Sequence, residues 1–167
     1  DDNSPDGTSD KVVELQHEFS DRLHLLKRSG KLGLATAYIE GFKYGLDKNF
    51  DFIFEMDADF SHNPADLNRL LQACSERKAD IAVGSRYVKN GGITNWPMNR
   101  LVLSYGASLY VRLVTWMPIK DPTAGFICYS NKVLKALDLD NNKFSGYAFQ
   151  IEMKYKAYQQ EFKIEEV

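Results

Sequence analysis

Residues 52–64 read FIFEMDADFSHNP, and the fold turns on how this stretch is understood. Phe52, Ile53, Phe54 and Met56 form a short apolar run. It ends in Asp57-Ala58-Asp59, and Ser61, His62, Asn63 and Pro64 then make a polar turn. An apolar run of this length bounded by turn residues reads as a buried strand. Strand side chains repeat their face every second residue, so Asp57 and Asp59 share a face if extended geometry persists to the tip. Two carboxylates held together repel, and a hard divalent cation relieves that cost while also accepting phosphate oxygens. The stretch therefore reads as a metal and diphosphate site at the carboxyl edge of a sheet. Asp is also common at turns and helix caps for local reasons alone.

The flanking segments supply the rest of an α/β pattern. Upstream, residues 9–19 carry Val12, Val13, Leu15 and Phe19 at helical spacing, and LHLL at 23–26 reads as a brief strand. The basic, glycine-punctuated loop 27–33 (KRSGKLG) leads into a helix over 34–46. Its inward face is Leu34, Ala37, Tyr38, Gly41, Phe42 and Leu46, with Gly41 marking close packing. Downstream, Pro64 suits the first turn of a helix over 64–77, and Leu67, Leu70, Leu71 and Cys74 form its stripe. ADIAVG at 79–84 reads as a strand ending in Ser85-Arg86-Tyr87. A second sharp turn, Asp121-Pro122-Thr123-Ala124-Gly125, precedes a strand at 126–129. Helices follow over 130–137 and 147–158, with Glu152 a lone acid among apolar residues, and 161–167 begins a last strand. Helices alternating with uniformly apolar strands predict a mostly parallel central sheet with helices on both faces.

One segment is ambiguous. Residues 98–117 place Leu101, Val102, Tyr105, Leu109, Leu113 and Trp116 at helical spacing, but Arg100 and Arg112 make a spanning helix a poor fit. The segment suits a helix lying on a membrane surface, and equally an amphipathic helix packed on the sheet.

With 167 residues the chain can fill one core, and 44% hydrophobic with 26% charged residues is ordinary globular composition. A net charge of −2 argues against nonspecific nucleic-acid binding. Cys74 and Cys128 sit in apolar surroundings and read as free core thiols of a reducing compartment. No leader-like or membrane-spanning apolar run occurs. The opening DDNSPDGT is a dense polar turn with no strand before it and no start methionine. It reads as a piece cut from a longer protein just after a missing strand. The glycine fingerprint of dinucleotide-binding folds, the phosphate loop of ATPases, a nucleophile elbow, a Cys-His pair and a His-rich metal cluster are all missing.

In a parallel sheet the polar turns at 1–8, 27–33, 57–63, 85–87 and 121–125 would gather on one edge, the usual ligand edge. Such an edge suits a metal-bound nucleoside diphosphate. The ordered set DDNSPDGT, Gly30-Lys31-Leu32-Gly33-Leu34, Asp57-Ala58-Asp59, Gly84-Ser85-Arg86-Tyr87, Gly91-Gly92…Trp96…Arg100…Ser104 and Asp121-Pro122-Thr123-Ala124-Gly125-Phe126 resembles the family 2 glycosyltransferases, and within them the dolichyl-phosphate (polyprenyl-phosphate) mannosyltransferases.

This resemblance implies a GT-A nucleotide-sugar-binding fold. It implies inverting transfer of a hexose, most naturally mannose from GDP-mannose, to a polyprenyl phosphate at the cytoplasmic face of a membrane, with peripheral membrane contact. Asp1 or Asp2 would contact base or ribose, with Lys31 and Gly33 near the donor phosphates. Asp57 and Asp59 would hold Mg²⁺ or Mn²⁺. Arg86 would meet the acceptor phosphate, helped by Ser85, Arg100, Thr123 and Gly125, and Asp121 would lie near the reacting centre. Ser61 stands where some relatives carry a longer Gln. The family's first strand, its Pro-x-Tyr-Asn-Glu loop and its C-terminal basic segment have no counterpart in these residues. Alternatives are a family 2 enzyme using a UDP-sugar (glucose or an aminosugar), a noncatalytic nucleotide-sugar-binding module, and a nucleotidyltransferase, in which the 121–126 turn has no clear role.

Overall fold

The computed structural model describes residues 1–89, 92 and 97–167, the side chain of Arg100 excepted; Gly91 and Trp96 lie outside the described residues. In chain order the elements are α1 (Thr8–Gln16), α2 (Leu34–Asp47), β1 (Phe52–Glu55), a 3₁₀ turn (Pro64–Asp66) running into α3 (Leu67–Ser75), and β2 (Ile81–Val83). They continue with α4 (Met98–Thr115), β3 (Ile127–Ser130), α5 (Asn131–Ala136), α6 (Tyr147–Gln159) and β4 (Ile164–Glu166).

The strands form one sheet in the order β1-β3-β2-β4. β3 runs antiparallel to both β1 and β2, pairing Cys128 with Phe54 on one side and Ala82 on the other, and only β2 and β4 are parallel. The expectation of a mostly parallel sheet is thus corrected to a small mixed one. Uniformly apolar strands report burial on both faces, and direction is not encoded in them. Strand alternation divides the core. Ile81, Val83, Ile127 and Tyr129 face a cluster with Phe42, Leu134, Phe149 and Met153, whereas Ala82 and Cys128 face Leu70, Ala73 and Phe126. Helices α2, α5 and α6 therefore cover one face and α3 the other. Cys74 and Cys128 are free and buried in the second cluster, as expected of core thiols.

Three further expectations are revised. Residues 23–26 form no strand; the segment is tied to Asp1, whose nitrogen donates to Leu26 O (2.8 Å) and whose carbonyl accepts from Arg28 N–H (2.8 Å), and to α1, where Gln16 Nε2 donates to Leu23 O (3.0 Å). The buried face of α2 is Ala35, Phe42 and Gly45, while Leu34 is exposed. Gly41 stands in open space. Close packing is found one turn later, where a Cβ on Gly45 would come within 2.7 Å of Ile53 Cδ1.

Helix α4 does not lay its apolar side on the sheet. Leu103 is 75% and Trp116 83% exposed, and Val102, Tyr110, Leu113 and Val114 also face outward. The helix turns its small polar side inward instead, with Ser108 buried and Ser104 Oγ 2.9 Å from Tyr87 OH.

Gly84, just after β2, donates its N–H to Phe126 O at 2.8 Å, and a Cβ there would lie 2.7 Å from the Phe126 ring. The Gly84→Ala substitution should cost about 1–3 kcal/mol, because a buried ring and a carbonyl must both retreat. Gly45→Ala should cost less, since the flexible end of Ile53 can turn away. Urea denaturation of the two variants checks the order.

Candidate functional site

β1 stops at Glu55, two residues short of Asp57, so the turn and not strand alternation places the two acids. Asp57 is half-buried. Its Oδ1 accepts from Tyr38 OH on α2 (2.8 Å), and its N–H donates to His62 Nδ1 (3.2 Å). Burial first, then the bond to Asp57, push the Tyr38 phenol well above its ordinary value, so the hydroxyl keeps the proton it donates. Asp59 is exposed, and its Oδ1 accepts from Ser61 N–H (3.0 Å) in a local turn. Ser61 beside it holds the Asp59 carboxyl below the usual carboxylate range. Between the acids and His62, Phe60 takes a left-handed φ of 63° and is fully exposed, which is where the chain reverses.

His62 was read from sequence as a turn residue only. In the structure it closes the turn: Nδ1 accepts from Asp57, and the ring stacks on Phe126 with centroids 4.9 Å apart. The ring thereby sets the 57–63 turn against the 121–126 turn. Gly125 completes this apposition, because a Cβ there would lie 3.9 Å from Asp57 Oδ2 and 3.7 Å from Gln150 Nε2. A larger side chain would crowd the carboxylate.

The Ser85-Arg86 turn joins from the next strand. Asp121 is wholly buried and Arg86 is 25% exposed. The carboxylate of Asp121 accepts from Arg86 N–H (3.0 Å), Nε (2.7 Å) and NH2 (2.6 Å), and Thr123 Oγ1 accepts from the same NH2 (2.8 Å). A fork-on-fork pair of this kind fixes the guanidinium plane as well as its charge. Asp121 therefore sits beneath Arg86 as its counter-ion, and its own N–H donates to Glu166 Oε1 at 2.9 Å. Ser85 is buried, with Oγ accepting from Tyr87 N–H (3.3 Å). Between the turns lies a cleft of ≈ 130 Å³ lined by Ser61, His62, Arg69, Gly84, Ser85 and Arg86 among others.

Of the remaining site candidates, Asp1 and Asp2 belong to a second group. Asp1's carboxylate accepts from Ser4 N–H (3.1 Å), Ser4 Oγ (2.6 Å) and Ser9 Oγ (2.6 Å). Asp2's accepts from Arg28 Nε (2.6 Å) and NH2 (2.7 Å), while Arg28 NH1 donates to Thr36 Oγ1 (2.7 Å). Both acids organise the opening turn, and a ribose there would have to share their oxygens. Arg28, which sequence reading left inside a basic loop, is the residue that ties that loop to Asp2. Lys31 is exposed, and Gly33 has a left-handed φ of 98° at the start of α2. The Arg100 side chain lies outside the described residues.

Among the described residues there is no group of three or more His, Cys, Asp and Glu that could hold a metal by themselves. Asp57 and Asp59 still fit a hard cation of the Mg²⁺ type, which takes one or two carboxylates and fills its other positions with water and substrate phosphates. The exposure of Asp59 and the open Gly125 leave room for such a ligand.

Because Asp121 is fully buried, Asp121→Ala should lower stability by about 3–5 kcal/mol by stripping the guanidinium of its counter-charge. Asp59→Asn, on an exposed turn, should leave the unfolding midpoint unchanged. Denaturation of both variants by urea separates the structural acid from the exposed one.

Comparison with known proteins identifies the family and the fold. Residues 1–138 match the family described as glycosyl transferase family 2. The chain is 44% identical over 167 residues to a polyprenol monophosphomannose synthase of Mycolicibacterium smegmatis, covering 100% of this chain and 63% of that protein. It is 43% identical over 157 residues to an undecaprenyl-phosphate mannosyltransferase of Micrococcus luteus, covering 94% of this chain and 63% of that one. The chain thus spans somewhat under two thirds of the length of these curated relatives. In structure it is similar to glucosyl-3-phosphoglycerate synthase of Mycobacterium tuberculosis solved with Mn²⁺, UDP-glucose and phosphoglyceric acid, at a TM-score of 0.65 and 14% identity, over 99% of this chain and 55% of that one. The same enzyme with UDP gives a TM-score of 0.63 at the same identity and coverage. At such identity the likeness speaks for a shared α/β fold of nucleotide-sugar enzymes. By its sequence match over most of its length, the chain belongs to glycosyl transferase family 2.

Proposed function

We propose that the protein transfers a hexose from a nucleoside diphosphate sugar to the phosphate of a polyprenyl, dolichyl-type lipid, with inversion at the anomeric carbon. The observation that supports this reading is a cleft lined by both Arg86, locked by Asp121 and Thr123, and His62, the ring that accepts from the Asp57 N–H. A lipid monophosphate is already anionic near neutral pH, so its oxygen needs little help from a general base. The difficulty is to bring one anion to another. Arg86 offsets that repulsion with a charge whose direction is fixed before substrate arrives. Asp57 and Asp59 would hold Mg²⁺ or Mn²⁺, and that cation, when bound, stabilises the charge left on the departing nucleoside diphosphate. Tyr38 keeps the Asp57 carboxylate oriented, and Gly125 keeps the space beside it open.

The donor is the finer part of the proposal. Mannose as the sugar is supported by the names of the two relatives above, which join mannose to a polyprenyl phosphate, and GDP as its carrier follows from the sequence resemblance alone. A UDP-sugar is the second reading, supported by the fold shared with an enzyme solved with UDP-glucose and Mn²⁺. No helix among the described residues is long and apolar enough to cross a membrane. Contact with the lipid surface is assigned to the outward face of α4, whose Leu103, Tyr110, Leu113 and Trp116 offer apolar area to a bilayer interface.

Full-length protein should turn over with polyprenyl phosphate and one donor of a panel of GDP-mannose, UDP-glucose and UDP-aminosugars. Activity should need Mg²⁺ or Mn²⁺ and vanish with chelator. Asp57→Asn and Asp59→Asn should each lower kcat by about 100-fold or more. Transfer that survives chelation, or no transfer with any donor, would refute the reading.

Arg86→Ala would leave a buried carboxylate unpaired, so Arg86→Lys is the cleaner variant. It should raise the KM for lipid phosphate about tenfold and leave the donor KM within about twofold, since Lys keeps the charge and loses the fork. The Leu103→Glu and Leu113→Glu double variant should weaken co-sedimentation with vesicles severalfold without changing donor binding.

A further inference from the structure

Helix α6 is unusual for a helix packed on a sheet, because it buries Gln150, Glu152 and Lys154 along with Phe149, Met153 and Ala157. Glu152 has a local task, accepting from the N–H groups of Lys143 and Phe144 (both within 3.2 Å) and pairing with Lys156. Lys154 does not. It is 0% exposed, and a fully buried ammonium is costly unless it is paired and hydrogen-bonded. Its three donors are all used on backbone carbonyls: Ala124 O at 2.7 Å, Pro122 O at 3.2 Å and Gln150 O at 3.3 Å. Two of these belong to the 121–125 turn, whose carbonyls converge on Nζ from above the helix.

Glu55, at the end of β1, is buried as well. Burial pushes the Lys154 ammonium down, and the charges of Glu55 and Asp121 draw it back up.

We infer that Lys154 is a positioning residue for the acceptor side of the site: by gripping the Pro122 and Ala124 carbonyls it fixes the turn whose Asp121 and Thr123 hold the Arg86 guanidinium. The inference rests on the proposed role of Arg86 toward an anionic acceptor. Lys154 itself is sealed from solvent and touches no substrate. Its effect passes through the turn to the plane of Arg86, so it acts on capture of the phosphate more than on the nucleotide side.

The test compares full-length wild type with Lys154→Met, which keeps side-chain length and removes the charge and donors, and with Lys154→Arg. Hydrogen exchange in the ligand-free protein should speed up at residues 123–126 in Lys154→Met and stay unchanged in α2 and α3. The KM for polyprenyl phosphate should rise about tenfold, as expected when a supporting contact of a binding group is lost, with the donor KM within twofold. Lys154→Arg should recover part of the loss. In an Arg86→Lys background, Lys154→Met should add little, because both changes act on the same group.

Unchanged exchange at 123–126, equal losses for both substrates, or full additivity with Arg86→Lys would overturn the inference. If Lys154→Met does not fold, Lys154→Gln is read by the same criteria. A wild type that transfers nothing to lipid phosphate counts against the reading of the acceptor, whereas exchange at the turn still decides whether Lys154 is the clamp.

Discussion

The site depends on one buried carboxylate. Asp121 has no access to solvent and takes three hydrogen bonds from Arg86, one from its backbone and two from its guanidinium. A carboxylate in that position must be neutralised, and a planar fork arriving from the turn after β2 does so. That requirement ties two segments 35 residues apart and fixes where a positive charge emerges at the cleft. His62 on Phe126 then fixes the acidic turn relative to the same segment. Three loops from three strands are locked to one another before any ligand is present.

What sequence could reveal follows from which signals are local. The apolar run at 52–56, the helix starts at Pro64 and Leu34, and the short strands at 81–83 and 127–130 carry their own periodicity and punctuation, and they lie within a residue or two of where the pattern placed them. Asp57, Asp59 and Arg86 stood out because charged residues directly after apolar strands are conspicuous, and the 121–125 turn because it punctuates the start of one. The roles of His62, Arg28 and Lys154 were not legible. Arg28 and Lys154 act on a carboxylate or carbonyls far along the chain and His62 stacks on the distant Phe126 ring, and nothing in a histidine, arginine or lysine shows which distant group it will meet. Strand direction was illegible for a related reason, because β3 has the same composition whichever way it runs.

The inward and outward sides of α4 were likewise inverted relative to the simplest expectation. Hydrophobic spacing in 98–115 is real, but the surface it would cover is already filled by α3 on one face of the sheet and by α2, α5 and α6 on the other. The helix is left to attach through Ser104 and Ser108. An apolar stripe is a statement about needing cover, and the cover need not come from the same chain.

The place of β3 in the sheet carries a consequence for how the protein is made. The strand lies between β1 and β2 in the sheet, yet it emerges from the ribosome after both of them. During synthesis β1 and β2 wait with bare amide edges, and the long apolar helix between β2 and β3 appears in the same interval. Such a nascent chain is exposed to misassociation until its keystone strand arrives, so its yield in cells should depend on elongation speed and on holdase chaperones more than the stability of the finished sheet would suggest.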